Sequence, residues 1–121
     1  MTILDSNTII YLSKELVKID DIFTDNEKYA VSIITYMEVL GYEFTSRNEE
    51  DFVRKLFDIL EIIYIDQKIA ENVIKIKKVH KVKLPDAIIC ATCIEHNATL
   101  YSNDIRLKNI DNLKLKLLNL P

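Results

Sequence analysis

Four acidic residues occupy positions from which a chain can do chemistry. Asp5 closes the apolar run Met1-Thr2-Ile3-Leu4, and Asp104 comes shortly after Thr99-Leu100-Tyr101. Glu38 lies about one helical turn beyond the apolar stretch 29–34, and Asp86 follows Pro85 at a helix start. Carboxylates gathered at one sheet edge cannot all stay ionised without a cation. A set of hard oxygen ligands with no His or Cys among them selects Mg²⁺ or Mn²⁺. Taken singly, each acid also has a plainer use: Asp86 as a helix N-terminal charge, Asp104 as a turn residue. Asp5 is the hardest to explain that way, because an acid at the end of a buried strand is costly unless paired or metal-bound.

The elements that must position these acids are legible in the apolar spacing. Met1 to Leu4 reads as a buried strand that ends in the polar turn Asp5-Ser6-Asn7-Thr8, and Ile9, Leu12, Leu16, Ile19 and Ile22 then fall at helical spacing. A second strand over 29–34 passes into the helical run 35–40, which Gly41 weakens or ends. Asn48-Glu49-Glu50-Asp51 puts acids in the first turn of a helix whose apolar face is Phe52, Leu56, Ile59 and Leu60. A third strand spans Glu61 to Ile65, and Asp66 suits the N-cap of a helix from Gln67 to about Lys81. Pro85 suits the first turn of a helix running to about His96. Thr99 to Tyr101 and Leu113 to Leu120 read as the last two strands. Strands alternating with helices predict an α/β fold, one domain over residues 1–121, with a mainly parallel sheet of about five strands and helices on both faces. Ligands then bind at the carboxyl ends of the strands.

Composition agrees with that reading and narrows it. The 121 residues are 49% apolar and 29% charged, enough for a core and too balanced for a disordered tail. One Gly and two Pro argue against a many-hairpin all-β architecture. The absence of a long apolar run or a basic leader predicts a cytoplasmic protein without a membrane span, and two cysteines three apart fit a reducing compartment. Net charge divides unevenly. Residues 1–66 carry six Lys/Arg against fourteen Asp/Glu, and residues 67–121 carry ten against five. An acidic total of -3 therefore still leaves a basic region for a polyanion.

The blocks around the four acids carry a family resemblance. The stretches 3–10 (ILDSNTII), 32–39 (SIITYMEV), 84–91 (LPDAIICA) and 98–104 (ATLYSND) are similar, in order and spacing, to the signature blocks of PIN-domain ribonucleases. The chain most resembles the VapC-type toxins of toxin–antitoxin pairs. That resemblance implies a pocket in which Asp5, Glu38, Asp86 and Asp104 hold one or two Mg²⁺ or Mn²⁺ ions, with Asn7, Ser102 and Asn103 hydrogen-bonding the ligands or water. It implies metal-dependent hydrolysis of RNA phosphodiester bonds, leaving 5′-phosphate and 3′-hydroxyl ends, and it implies an antitoxin partner and a homodimer. The exposed apolar surface expected of helices such as 52–60 points to self-association too. Many relatives carry a further acid and an aromatic where this chain has Ile105-Arg106-Leu107-Lys108, so a fifth acidic ligand is not expected.

Other candidates compete for attention. Lys77, Lys78, Lys81 and Lys83, with Arg106 and Lys108, read either as a solvated face or as a track for the RNA backbone. Cys90-Ala91-Thr92-Cys93 lies mid-helix, where thiols are not activated, and reads as small buried hydrophobes. Asp5-Ser6-Asn7-Thr8 is faintly similar to the nucleophile loop of haloacid-dehalogenase-like phosphatases, which needs a second Asp where Asn7 stands. The remaining alternative is a non-catalytic PIN-like binding module. Retention of all four acids argues against it.

Overall fold

The computed structural model describes residues 1–119. Its elements run β1 (Thr2–Leu4), α1 (Ser6–Ser13), α2 (Ile19–Ile22), β2 (Tyr29–Ser32), α3 (Ile33–Leu40), α4 (Arg47–Ile59), β3 (Glu61–Ile63), α5 (Gln67–Val79), α6 (Leu84–Glu95), β4 (Thr99–Ser102), a 3₁₀ turn (Ile105–Asn109) and β5 (Lys114–Leu117). The five strands form one sheet in the order β3-β2-β1-β4-β5, and every pairing is parallel. Ile3 stands opposite Ala30 on one side and Leu100 on the other, so β1 is the central strand.

Strand alternation assigns the two faces of the sheet. Ile3, Ala30 and Leu100 point into a core with α5 and α6, through Ile69, Val73, Ile76, Ile89 and Cys93. Their neighbours Leu4, Val31 and Tyr101 point the other way, onto Ile9, Leu12, Val53, Leu56 and Phe57 of α1 and α4. The period of two in the strands meets the period of three to four in the helices on both faces, as a doubly covered parallel sheet requires.

Several expected elements are shorter than the apolar spacing suggested. The helix expected to run from Ile9 through Ile22 is two helices. Glu15 adopts a left-handed backbone (φ 59°) just beyond α1, and Lys18 is extended before α2. Leu16, counted on the apolar face, is 49% exposed, and Val17 is the residue that enters the core. The second strand stops at Ser32, whose side chain accepts the Ile34 N–H at 3.2 Å and starts α3. The third stops at Ile63, and the last covers Lys114–Leu117; the expected end at Leu120 lies outside the described residues. Helix α4 begins one residue earlier than the acids suggested, with Ser46 as its cap. Of its expected face, Leu56 and Leu60 are buried, Phe52 is half-buried and Ile59 is 80% exposed, while Val53 and Phe57 complete the buried side. Asp66 caps α5 as expected.

Candidate active site

The strand order places a topological switch point between β1 and β4. From β1 the chain proceeds outward through β2 and β3, and from β4 it proceeds in the opposite direction to β5. The crevice beyond the carboxyl ends of two such strands is where open α/β sheets bind ligands. Asp5 follows β1 directly, and Asp104 follows β4 by two residues. Glu38 reaches the same edge from α3, which leaves the end of β2, and Asp86 from the first turn of α6, which runs back toward the start of β4.

Each acid is held differently. Asp5 is buried, and its Oδ1 accepts two hydrogen bonds from Thr8, one from the backbone N–H at 2.8 Å and one from Oγ1 at 2.6 Å. Glu38 is exposed and takes the Ser6 hydroxyl on Oε1 at 2.7 Å. Asp104 is forked by Arg106: Oδ1 accepts from Nε at 2.9 Å and from the backbone N–H at 3.0 Å, while Oδ2 accepts from Nη2 at 2.8 Å. Ser102, fully buried, accepts the backbone N–H of Asp104 at 3.1 Å and so fixes the turn.

Asp86 registers the other three. Its carboxyl is pushed above the ordinary range, first by partial burial and then by the negative charges of Asp104, Glu38 and Asp5. Asp104 is held below that range by the Arg106 hydrogen bonds. The same field reaches Cys90, whose thiol is pushed up to about 12 by burial and by Asp86, Asp104 and Asp5; Cys93 is raised by burial as well. Both thiols are buried and inert, and the CxxC reading as packing residues stands.

A PIN-domain family model matches residues 2–113, nearly the whole chain. This chain belongs to the PIN-domain family. No curated protein sequence matches it significantly. Among solved structures, the PIN domain is similar over 93% of its length to a chain, itself 95% covered, of a toxin–antitoxin complex from Klebsiella pneumoniae, at 28% identity and a TM-score of 0.75. It is similar at 26% identity and a TM-score of 0.77 to a chain of VapBC-1 from nontypeable Haemophilus influenzae, with 96% of each chain covered. VapBC2 from Rickettsia felis, bound to a promoter DNA fragment, shares the fold at a TM-score of 0.82 and 21% identity, with 98% of each chain covered.

Around the PIN domain's acids, the neighbouring polar residues are not all the expected ones. Asn7 is exposed and makes no hydrogen bond to the acids among the described residues; Ser6 and Thr8, on either side of it, make those bonds. Asn103 donates to the Tyr11 hydroxyl at 3.1 Å rather than to a carboxylate. A capping signal in D-x-x-T could have found Thr8, because Asp at an N-cap accepts from the third residue on. Ser6 carried no such local signal, since Glu38 is 32 residues away.

The basic residues also separate. An open groove of about 770 Å³ is lined by Lys77, Lys81 and Lys83 together with Asp86, Asp104 and Arg106. Lys78 and Lys108 lie outside that lining. Lys77 is engaged, donating to the Val82 carbonyl at 2.6 Å, which ties the end of α5 to the loop before α6.

The donor set fits a hard divalent ion in chemistry: four carboxylates and hydroxyls, with mutual repulsion that a cation relieves. Among the described residues no three His, Cys, Asp or Glu side chains are grouped so as to hold one ion as they stand. Thr8, Ser6 and Arg106 each engage one of the acids instead.

Proposed function

We propose that this PIN domain is an Mg²⁺- or Mn²⁺-dependent endoribonuclease and the toxin of a toxin–antitoxin pair. The observation that carries the reading is that the strand order delivers Asp5 and Asp104 to the carboxyl ends of β1 and β4 at the switch point, with Glu38 on α3 and Asp86 on α6 near enough for their charges to act on one another. A bound Mg²⁺ or Mn²⁺ supplies the charge that lets the carboxylates stay ionised together, makes water nucleophilic at neutral pH and stabilises the leaving oxygen of the phosphodiester. The four acids hold the ion. Thr8 fixes the rotamer of Asp5, Ser6 orients Glu38, and Ser102 holds the turn that presents Asp104. Lys81 and Lys83 draw the RNA backbone along the groove toward Asp86 and Asp104. The helix N-terminus at Asp86 favours an anion-rich substrate less than a cation-bound one, because its own carboxylate occupies that end.

The partner reading draws on the solved toxin–antitoxin complexes to which the chain is similar. A groove of about 1000 Å³ at the far end of α1, with Leu12, Val17, Ile19 and Phe52 in its lining, suits an apolar helix of an antitoxin, which sends a basic side chain toward the acids. Exposed apolar side chains at Ile59, Tyr64, Ile74, Val79 and Leu84 suit a homodimer.

The deciding experiment is cleavage of single-stranded RNA by the purified chain with Mg²⁺ or Mn²⁺ and with EDTA. Cleavage that needs the metal is expected. Cleavage that persists in EDTA, or none in either metal, overturns the nuclease reading. Light scattering at tens of micromolar should give a dimer mass.

A further inference from the structure

Asp104 differs from the other three acids in one respect: both of its carboxylate oxygens are engaged by a cation of its own chain. Asp5 and Glu38 each use one oxygen, and Asp86 accepts no hydrogen bond among the described residues. The clasp is local. Asp104 caps the 3₁₀ turn, and the i to i+2 spacing lays the Arg106 guanidinium across the carboxylate with two parallel hydrogen bonds. Yet the arginine is built to leave. Its side chain is 82% exposed, whereas that of Asp104 is 21% exposed, so only the carboxylate is fixed in place. An ion pair that exposed contributes little, and a competitor for the carboxylate displaces it at small cost. Arg106 lines the groove that also holds Lys81, Lys83 and Asp86.

We infer that Arg106 is a gated phosphate-binding residue: it occupies Asp104 while the acids hold no divalent ion, and it turns to a phosphate of the RNA once a cation engages that carboxylate. This rests on the metal-dependent nuclease reading and adds to it a coupling between the two ligands. The divalent ion and the RNA each favour the state in which the Arg106–Asp104 fork is open, so each tightens the other's binding. Guanidinium suits both partners, since its planar fork matches carboxylate and phosphate alike. No other basic side chain lining the groove is paired with one of the four acids among the described residues.

Two measurements test the inference apart from turnover. The first is Mn²⁺ titration by calorimetry, without RNA, on the wild type, Arg106→Gln and Arg106→Lys. Release of the fork should tighten Mn²⁺ binding about two- to fivefold in both variants, the span an exposed ion pair covers. Lysine keeps the charge and loses the fork. Tightening in Arg106→Gln alone would mean simple charge repulsion and overturn the gate, as would unchanged affinity in both. The second is binding of a phosphorothioate-linked single-stranded RNA across a salt series, in Mn²⁺ and in EDTA. The wild type should gain about 0.7 units of salt slope on adding Mn²⁺, one phosphate contact on a single strand, and Arg106→Gln should gain none. Equal gains in the two proteins overturn the phosphate contact. A wild type that cleaves RNA with Mn²⁺ but shows none of these differences loses the gate and keeps the nuclease. A wild type that neither binds Mn²⁺ nor cleaves RNA loses both.

Discussion

The junctions β1–α1 and β3–α5 are built from the same local device and end in different places. At each, a strand stops and an aspartate caps the following helix by accepting the N–H of the third residue on: Asp5 from Thr8 at 2.8 Å, Asp66 from Ile69 at 2.9 Å. The third residue differs in kind. Thr8 adds a 2.6 Å hydroxyl bond to Asp5, while Ile69 turns its side chain into the core. The surroundings differ more. β3 is an edge strand and Asp66 is exposed, whereas β1 is central, Asp5 is buried, and Asp5 is one of three acids whose charge raises Asp86. Capping is thus a property of the local sequence. What sets the two junctions apart is where the sheet order delivers the cap, and of the strands only β1 and β4 deliver theirs to the switch point.

The sharpest way to break this comparison is to make the same substitution at both caps. Asn caps a helix about as well as Asp, so neither Asp5→Asn nor Asp66→Asn should lower the melting temperature appreciably. Asp5→Asn should nonetheless reduce metal-dependent RNA cleavage by more than about a hundredfold, since even outer partners of a metal ligand cost 10- to 100-fold. Asp66→Asn should leave turnover unchanged. Thermal unfolding and RNA cleavage measured on both proteins decide it, and equal turnover in the two variants would remove Asp5 from the site.

A second test reads the repulsion itself. The Asp86 carboxyl titrates above its ordinary range in the folded chain, so at neutral pH its charge opposes folding. As the pH rises through the window between its unfolded and folded values, the folded state gives up a proton the unfolded state has already lost, and stability falls. The penalty is absent below that window. Asp86→Asn should therefore stabilise the metal-free protein at pH 7 by about 1 kcal/mol, the scale on which relief of a functional site commonly acts. The gain should shrink as the pH drops into the ordinary carboxyl range. Denaturant unfolding of both proteins at several pH values checks the sign; a stabilisation that grows on acidification would show that Asp86 is not crowded by its neighbours.

How much of this was legible beforehand follows the same division between local and non-local. Three of the acids were visible because they stand just after an apolar run or behind a proline, Glu38 because it interrupts an apolar helical run one turn past a strand, and the caps at Asp66 and Pro85 were visible in the same local way. The resemblance to PIN domains was visible in short blocks, each of which the structure leaves intact. What periodicity could not carry was the end of α1. Leu16 keeps the helical spacing, but the left-handed Glu15 has already turned the chain, and nothing in the residue type marks Glu as the place. Nor could it carry the Ser6–Glu38 bond, which exists only because β1 and β2 are neighbours. The resemblance implied Asn7, yet the helix turns its side chain outward and Ser6 and Thr8 inward. The fork between Asp104 and Arg106 is local but conditional: it needs the 3₁₀ turn that Ser102 anchors.

The smallest expected effect separates the lysines that line the basic groove from one outside it. Lys81 and Lys83 line it along with Asp104 and Arg106, while Lys78 of α5 is not part of the lining. Lys77 is unsuited to the test, because its bond to the Val82 carbonyl gives it a structural part. If the groove carries the RNA backbone, replacing Lys81 and Lys83 together with Ala should flatten the salt dependence of RNA binding by about 1.4 units, at about 0.7 per phosphate contact on a single strand. Replacing Lys78 alone should leave it unchanged. Mn²⁺ affinity should change far less than RNA binding in either, because the charges of exposed side chains are screened at ordinary salt. The measurement is binding of the phosphorothioate RNA at several salt concentrations beside Mn²⁺ calorimetry. Equal flattening by Lys78→Ala and by one groove lysine would make the lysines a diffuse basic face, and the groove would lose its direction toward the acids. Flattening confined to Lys81 and Lys83 would instead fix that direction, since the loop carrying them enters α6 at the turn where Asp86 stands.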